Sequence, residues 1–167
     1  NQGERVLIAE LVNAPANRVV WTEEFRAANG DLFAIQTRLA EKIWTTLGIV
    51  PLPLERAQVE KSYTQSAEAY ELYLIGRFQM TRRTPEELRR AISTFASALK
   101  IDGNFAPAYV SIADAYALLQ LYDIQPPEDS YKLAKQYAER ALEIDENLPE
   151  GHATVAYLKF YADRDRE

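Results

Sequence analysis

The sequence predicts a mainly helical protein, in which antiparallel helix pairs stack into an α-solenoid behind a small α/β segment. Two observations predict the stacked helices: helix-length segments follow one another from Ser66 onward, and a pattern of residues returns after 43 positions. A third predicts the α/β segment, because two short runs of β-branched and aromatic residues precede the first helical pattern. We therefore divide the chain into a partial α/β segment at 1–50, a linker with a short helix at 51–65, and helical repeats at 66–167.

The α/β segment is predicted to be a β-hairpin followed by a helix. Residues 4–13 and 18–27 have strand composition, and Pro15 lies in the turn between them. Asp31 is placed to cap the helix and Gly48 to end it. Apolar residues recur at helical spacing between these two, at Leu32, Ile35, Leu39, Ile43 and Leu47.

An isolated hairpin is marginally stable in water. We therefore expect either that its helix covers one face or that further strands come from upstream. Trp21 and Trp44 are expected to fill the core of this segment. The chain begins at Asn1 without Met and ends without a helix stop signal, so we expect it to be part of a longer protein.

The remainder of the chain is predicted to contain helices only. Short separators rich in Pro, Gly, Asp and Asn divide it, and short connections make neighbouring helices antiparallel. The predicted helices are 66–80, 84–101, 105–122, 128–145 and 148–162.

An internal repeat is the strongest signal in the sequence. Residues 98–109 match residues 141–152 at an offset of 43. Small residues recur at this offset because closely crossing helices need Ala or Gly where their backbones approach. The same offset pairs Ala91 with Ala134, Ile112 with Val155, and Ala113 with Ala156.

These residues resemble the tetratricopeptide repeat over 66–161, with about two and a half units. The usual period is about 34 residues, and the longer period here reflects extra residues around 121–129. Gly103 and Glu146 stand where the family has Pro. The matching positions are Tyr70, Ile75, Gly76, Ala91, Phe95, Ala98, Tyr109, Ile112, Ala113, Tyr116, Ala134, Ala138, Ala141, His152 and Val155.

A second resemblance concerns the whole arrangement. The stretches 21–25, 31–33 and 69–77 are similar to a TolB-like segment preceding tetratricopeptide repeats in bacterial regulators. Such regulators often carry an adenylate cyclase, winged-helix DNA-binding or kinase domain. The resemblance implies a domain of a signalling or transcription-regulatory protein. It favours the bacterial cytoplasm, with the periplasmic side of a membrane-anchored regulator as the alternative.

Composition argues against an enzyme. The net charge of −6 is unsuited to a phosphate backbone, and the absence of cysteine excludes thiol chemistry. His152 is the single histidine, and it holds a repeat position where a core or half-buried role is expected. Phosphate-loop, nucleophile-elbow and zinc-protease motifs are absent from the sequence. We expect no catalytic residue, cofactor, metal, nucleic-acid surface or membrane segment in this chain.

One basic cluster stands out, formed by Arg82, Arg83, Arg89 and Arg90. It could bind an anion or an acidic peptide. We favour an exposed turn in which Glu86 pairs with the last two arginines at helical spacing.

The tetratricopeptide resemblance implies a concave groove that binds a protein or peptide segment. Chaperone tails are not expected as ligands, because the Lys and Asn cluster that holds their carboxylate in the family is lacking. An amphipathic or extended segment with apolar anchors fits better. The implied partner-binding residues are Tyr73, Arg77, Val110, Asp114, Ala117, Leu118, Tyr157 and Phe160.

Two alternatives stay open. The chain could be a self-association module that forms a homodimer through the hairpin edge or through the last helix, whose aromatic face carries Tyr157, Phe160 and Tyr161. It could also be a small-molecule sensor domain, with a pocket between the N-terminal segment and the repeats.

Overall fold

The computed structural model describes residues 5–27, 32–122 and 127–164. Two compact units divide the chain, Asn1–Ser62 (unit 1) and Tyr63–Glu167 (unit 2), and their boundary lies inside the predicted linker. Within the described residues the chain is mainly helical with one two-stranded antiparallel hairpin, which confirms the predicted class at that level. The elements are β1 (Arg5–Asn13), β2 (Arg18–Ala27), α1 (Leu32–Leu47), α2 (Pro53–Glu60), α3 (Ala67–Thr81), α4 (Pro85–Ile101), α5 (Ala106–Leu121), α6 (Pro127–Ile144) and α7 (Pro149–Arg164).

In unit 1, α1 covers one face of the hairpin. The register pairs Leu7 with Phe25, and alternation along each strand places both on the same face. Phe25 and Ile35 are buried against each other, and Leu39 packs beside them. The helix therefore provides the cover that an isolated hairpin needs, which is the first of the two expected arrangements.

Local chemistry explains where α1 ends. Gly48 has a φ of +66°, a left-handed conformation that costs glycine little. The N–H of Ile49 then donates to the carbonyl of Trp44 at 2.9 Å. The predicted end of this helix is confirmed, whereas its predicted cap, Asp31, lies outside the described residues.

The two tryptophans lie at the edge of the unit 1 core. Both are half-buried, and each has a cation over its ring. Lys42 Nζ is 6.0 Å from the Trp21 ring centroid, and the Arg56 guanidinium is 5.5 Å from that of Trp44. The expectation that they fill the core is therefore corrected: long basic side chains cover one side of each ring.

In unit 2, hydroxyl caps set the starts of the first two helices. Ser66 Oγ accepts from the N–H of Ala69 at 3.1 Å, and Thr84 Oγ1 accepts from that of Glu87 at 3.3 Å. Pro85 follows Thr84 at the first helical position, where it needs no N–H partner. The predicted bounds of all five helices agree with the structure within two residues.

Small residues allow the helices of unit 2 to pack closely. At Gly76 in α3, an added Cβ would lie 2.5 Å from Cε1 of Phe95 in α4. Phe95 is fully buried together with Ala91 and Ile112. The predicted role of small residues in close helix contact is confirmed at this crossing.

Helix α5 is the centre of unit 2. It packs against α4 and α6 and also contacts α3 and α7. Its buried residues lie on all sides, as expected for a helix surrounded by others. None of the helices described here is long and apolar enough to cross a membrane.

Helix α7 buries one face only. Gly151, Thr154 and Leu158 are buried, whereas His152 and Ala156 are exposed. The expectation of a core or half-buried His152 is wrong, because this residue points away from α5 and α6. Its Nε2 lies 2.7 Å from the carbonyl oxygen of Glu146.

Candidate functional site

A groove runs across α3, α5 and α7, the first helices of the successive pairs. Two concavities of about 460 and 410 Å³ form it. They are continuous because Met80, Arg83, Asp114 and Leu118 line both. The other lining residues are Arg77, Phe78, Thr81, Ser111, Ala117, Leu121, Glu150 and Tyr157.

A hydrogen bond joins α5 to α7 at the base of the groove. Thr154 Oγ1 donates to Asp114 Oδ1 at 2.7 Å and lies 2.9 Å from the carbonyl oxygen of Glu150. Burial raises the pKa of the Asp114 carboxyl, and the Thr154 hydrogen bond and the nearby Arg77 oppose that shift. The contact links two residues that are 40 positions apart in the chain.

Arg77 is held on the α3 side of the groove by the residue one turn before it. Its Nη1 donates to the hydroxyl of Tyr73 at 3.1 Å, and its guanidinium lies 5.9 Å from the centre of that ring. The Tyr73 ring packs against Phe95 and Phe105, with centroids 5.9 and 5.1 Å apart. The buried aromatic cluster therefore positions a cation at the surface.

Arg83 supplies a second cation at the rim. It follows α3 with a φ of +51°, and its backbone N–H donates to the carbonyl of Met80 at 3.2 Å. Its Nη1 donates to the hydroxyl of Tyr122 at 3.4 Å. The groove thus carries Arg77 and Arg83 against Asp114 and Glu150, a balanced set of charges.

The end of the groove nearest the C-terminal ends of α3 and α5 is apolar. Met80, Leu118, Leu121 and Tyr157 line it, and Leu121 is half exposed. The ring of Tyr157 packs against that of Tyr161 with centroids 4.5 Å apart. Burial, followed by the hydrogen bond with Tyr161, raises the pKa of Tyr157 to about 12, so its hydroxyl keeps its proton near neutral pH.

The structure brings five of the eight residues implied by the resemblance into this groove. They span all three helices and face the same concave surface. They are Arg77, Asp114, Ala117, Leu118 and Tyr157.

The other three lie elsewhere. Val110 is 3% exposed and packs against Ala141 and Leu148, so its expected position on the groove is corrected to the core. Tyr73 lies beneath the groove, where it holds Arg77. Phe160 is 61% exposed and is not among the groove-lining residues.

Sequence reasoning missed several residues of the groove, among them Met80, Ser111 and Glu150. One signal was present: Ser111 and Thr154 are separated by the repeat offset of 43. The Ser111 hydroxyl donates to the carbonyl of Pro107 at 2.9 Å, and Thr154 Oγ1 lies at the same distance from the carbonyl oxygen of Glu150. A pair of hydroxyl residues at one repeat position marks where successive first helices meet.

The basic cluster also needs a correction. Arg90 Nη1 lies 2.8 Å from Glu87 Oε1, and Arg82 Nη1 lies 3.8 Å from the same oxygen. The pairing carboxylate is therefore Glu87, which is largely covered, and not Glu86 as expected. Because the arginines are exposed, these ion pairs add little stability.

No three His, Cys, Asp or Glu side chains converge on a possible metal position within the described ranges. In comparisons with known proteins, no family model matches the sequence, and a search of curated proteins finds no significant match.

Proposed function

We propose that this chain is a protein-interaction module of a larger bacterial signalling or transcription-regulatory protein. Unit 2 is a tetratricopeptide-type solenoid, and its groove binds a peptide or protein segment. The regulatory setting rests on the resemblance to a TolB-like segment followed by such repeats. The module has no catalytic role and needs no cofactor.

The observation that carries this proposal is the continuous groove across α3, α5 and α7. It combines an apolar end with a polar base, as in sites that anchor a ligand by its side chains and orient it by hydrogen bonds. The polar base is already hydrogen-bonded, between Thr154 and Asp114 and between Arg77 and Tyr73. Such pre-organisation lowers the free-energy cost of binding.

The ligand is an extended or amphipathic segment with at least one large apolar side chain. That side chain enters between Leu118, Leu121 and Tyr157. Polar groups of the ligand then meet Asp114 and Arg77, which offer one acceptor site and one donor site. The balanced charge of the groove excludes a strongly acidic or strongly basic ligand.

A peptide selection tests this proposal. A random peptide library is selected on the wild-type chain, and fluorescence polarisation measures the affinity of the best peptide. Tyr157→Ala, Leu121→Glu and Asp114→Arg are each expected to raise Kd by about fivefold or more. Circular dichroism checks that each variant remains folded.

Phe160→Ala is the matched control for Tyr157→Ala, because it removes an aromatic ring from the same helix outside the groove. It is expected to leave Kd unchanged. If Phe160→Ala weakened binding while the three groove variants did not, the ligand would bind elsewhere and the proposal would fail.

A specific observation favours a second candidate, self-association through the hairpin. Both strands are edge strands of a two-stranded sheet, and edges invite pairing with another chain. The face away from α1 also exposes apolar side chains: Val6, Ile8, Val12 and Val19. Sedimentation velocity over a range of concentrations tests this candidate. A dimer that Ile8→Lys abolishes would support it, and a monomer at every concentration would exclude it.

A further inference from the structure

The charged side chains of the groove differ in how far they are exposed to solvent. Arg77, Arg83 and Glu150 are exposed, whereas Asp114 is half-buried where the two concavities meet. An ion pair becomes stronger as water is excluded from it, so an exposed pair adds little to affinity and a partly buried pair adds more. Asp114 is therefore the charge of the groove that can interact most strongly with a charge on the ligand.

The carboxylate of Asp114 has little to balance its charge. Its Oδ1 accepts a hydrogen bond from Thr154 at 2.7 Å, and no lysine or arginine in the described part of the chain forms an ion pair with it. Burial raises the pKa of this carboxyl, and the charges of Arg77 and Glu150 act on that pKa in opposite directions. A carboxylate in these surroundings gains from a cation that the ligand brings.

The two arginines of the groove are held by tyrosine hydroxyls. Arg77 Nη1 donates to the hydroxyl of Tyr73 at 3.1 Å, and Arg83 Nη1 donates to that of Tyr122 at 3.4 Å. An anionic ligand would meet these guanidinium groups at the exposed rim, where solvent and salt screen the contact. The arginines therefore select the charge of a ligand less strongly than Asp114 does.

The concavity of about 410 Å³ combines Asp114 with apolar walls. Its other lining residues are Met80, Arg83, Ala117, Leu118, Leu121 and Tyr157, and all of these except Arg83 are apolar or aromatic. A lysine side chain matches this combination, because a flexible apolar stem carries one compact ammonium group. An arginine matches it less well, because Thr154 already occupies one of the two carboxylate oxygens that a guanidinium fork uses.

We propose that Asp114 selects ligands that carry a lysine beside their apolar anchor. This rests on the proposed function, since it names a residue of the segment that the groove binds. The ammonium group pairs with Asp114, while the apolar anchor lies between Leu118, Leu121 and Tyr157. Leu121 follows Asp114 on α5 by about 10 Å along the helix axis, and an extended ligand covers about 3.3 Å per residue. The lysine therefore lies about two or three residues from the anchor in the ligand.

Peptides selected on the wild-type chain provide the probe. Those whose binding Leu121→Glu weakens are sequenced, and lysine near the apolar anchor should occur at about three times or more its frequency in the starting library. The best peptide is then remade with norleucine in place of this lysine, which keeps the apolar stem and removes the charge. In fluorescence polarisation with the wild-type chain, the norleucine peptide should have a Kd about tenfold or more higher than that of the lysine peptide.

A double-mutant cycle shows whether the lysine acts through Asp114. Asp114→Asn keeps the size of the side chain and an oxygen that can accept from Thr154. In this variant the Kd values of the lysine and norleucine peptides should differ by less than about twofold, because the carboxylate is gone. The matched control is Glu86→Gln, which removes an exposed carboxylate of unit 2 outside the groove. It should preserve the preference for lysine at about tenfold.

Three results would overturn this proposal and leave the proposed function intact. The first is a set of peptides that Leu121→Glu weakens but that carry no lysine near their anchor. The second is a norleucine peptide that binds the wild-type chain as tightly as the lysine peptide does. The third is an equal loss of affinity for both peptides in Asp114→Asn, which would give Asp114 a structural role only. A selection that yields no peptide would remove the proposed function, and the selection of lysine with it.

Discussion

The contact between Gly76 and Phe95 offers the sharpest test of how unit 2 is held together. In Gly76→Ala the new Cβ would lie 2.5 Å from Cε1 and 2.8 Å from Cδ1 and Cζ of the Phe95 ring. Carbon atoms prefer about 3.5–4.0 Å, so the two helices must separate by about 1 Å or the ring must turn. The ring is 0% exposed and packed among Ala91, Ile112 and Tyr73, which leaves it little room.

The expected magnitude follows from two opposing terms. Overpacking a well-packed core costs about 1–3 kcal/mol, and the rigid surroundings of Phe95 put this site near the upper end. Replacing a helical glycine by alanine stabilises the helix by about 1 kcal/mol. We therefore expect Gly76→Ala to lower the free energy of unfolding by about 2 kcal/mol.

Urea denaturation followed by far-ultraviolet circular dichroism measures this change. Both tryptophans lie in unit 1, so their fluorescence does not report on unit 2. Gly103→Ala is the control, because its Cβ would approach no atom closer than the Leu99 carbonyl oxygen at 3.9 Å. The double variant Gly76→Ala/Phe95→Leu should lose less free energy of unfolding than the two single variants together, since the smaller leucine side chain relieves the overlap with the new Cβ.

The reasoning would be refuted if Gly76→Ala lowered the free energy of unfolding by less than about 0.5 kcal/mol and by no more than Gly103→Ala does. Strict additivity with Phe95→Leu would do so as well. Either result would mean that α3 and α4 do not depend on a small residue at their crossing.

Three further predictions concern single side chains. Burial raises the pKa of the Asp114 carboxyl, so the folded state binds that proton more tightly than the unfolded state, and the charged form lowers stability near neutral pH. Asp114→Asn should therefore raise Tm at pH 7. In thermal scans the difference in Tm between the variant and the wild type should shrink as the pH falls towards the ordinary pKa of an Asp carboxyl. A difference that grows on acidification would contradict this. Ser66→Ala removes the cap of α3 and should lower the free energy of urea unfolding by about 1 kcal/mol, whereas an unchanged value would show that the cap bond to Ala69 is unimportant. Phe95→Ala should lower the free energy of urea unfolding by about 3–5 kcal/mol, because its ring is buried. Phe160→Ala should lower it by less than about 0.5 kcal/mol, because its ring is exposed. Similar losses in the two variants would contradict the burial of α4 against α3 and α5.

Much of the fold could be predicted because its causes are local. Ser66 and Thr84 can cap the helices that follow them, and Pro85 fits only the first turn, so the starts of α3 and α4 were predictable within a residue. The end of α1 at Gly48 has an equally local cause. The groove was predictable only in part, because a helical pattern tells which residues are apolar but not which neighbour each one meets.

The positions of the small residues could be predicted from spacing, since small residues recur wherever helices cross closely. Phe160 and Val110 show where that reasoning fails. Val110 was expected on the groove, yet it packs against Ala141 and Leu148, because the crossing of α5 with α6 and α7 covers that side of the helix. Phe160 holds the place of buried Ala117 but is exposed, because the helix that covers Ala117 has no counterpart over α7 among the described residues.

The sequence by itself determined the helices, their ends and the positions where their backbones can approach, since these depend on a residue and its neighbours within one or two turns. Only the tertiary structure decided that Asp114 meets Thr154 and that Met80, Leu118 and Tyr157 line one surface. Those contacts join residues from different helices, and the angle and depth of helix packing, set by the side chains of all the partners together, decide which of them touch.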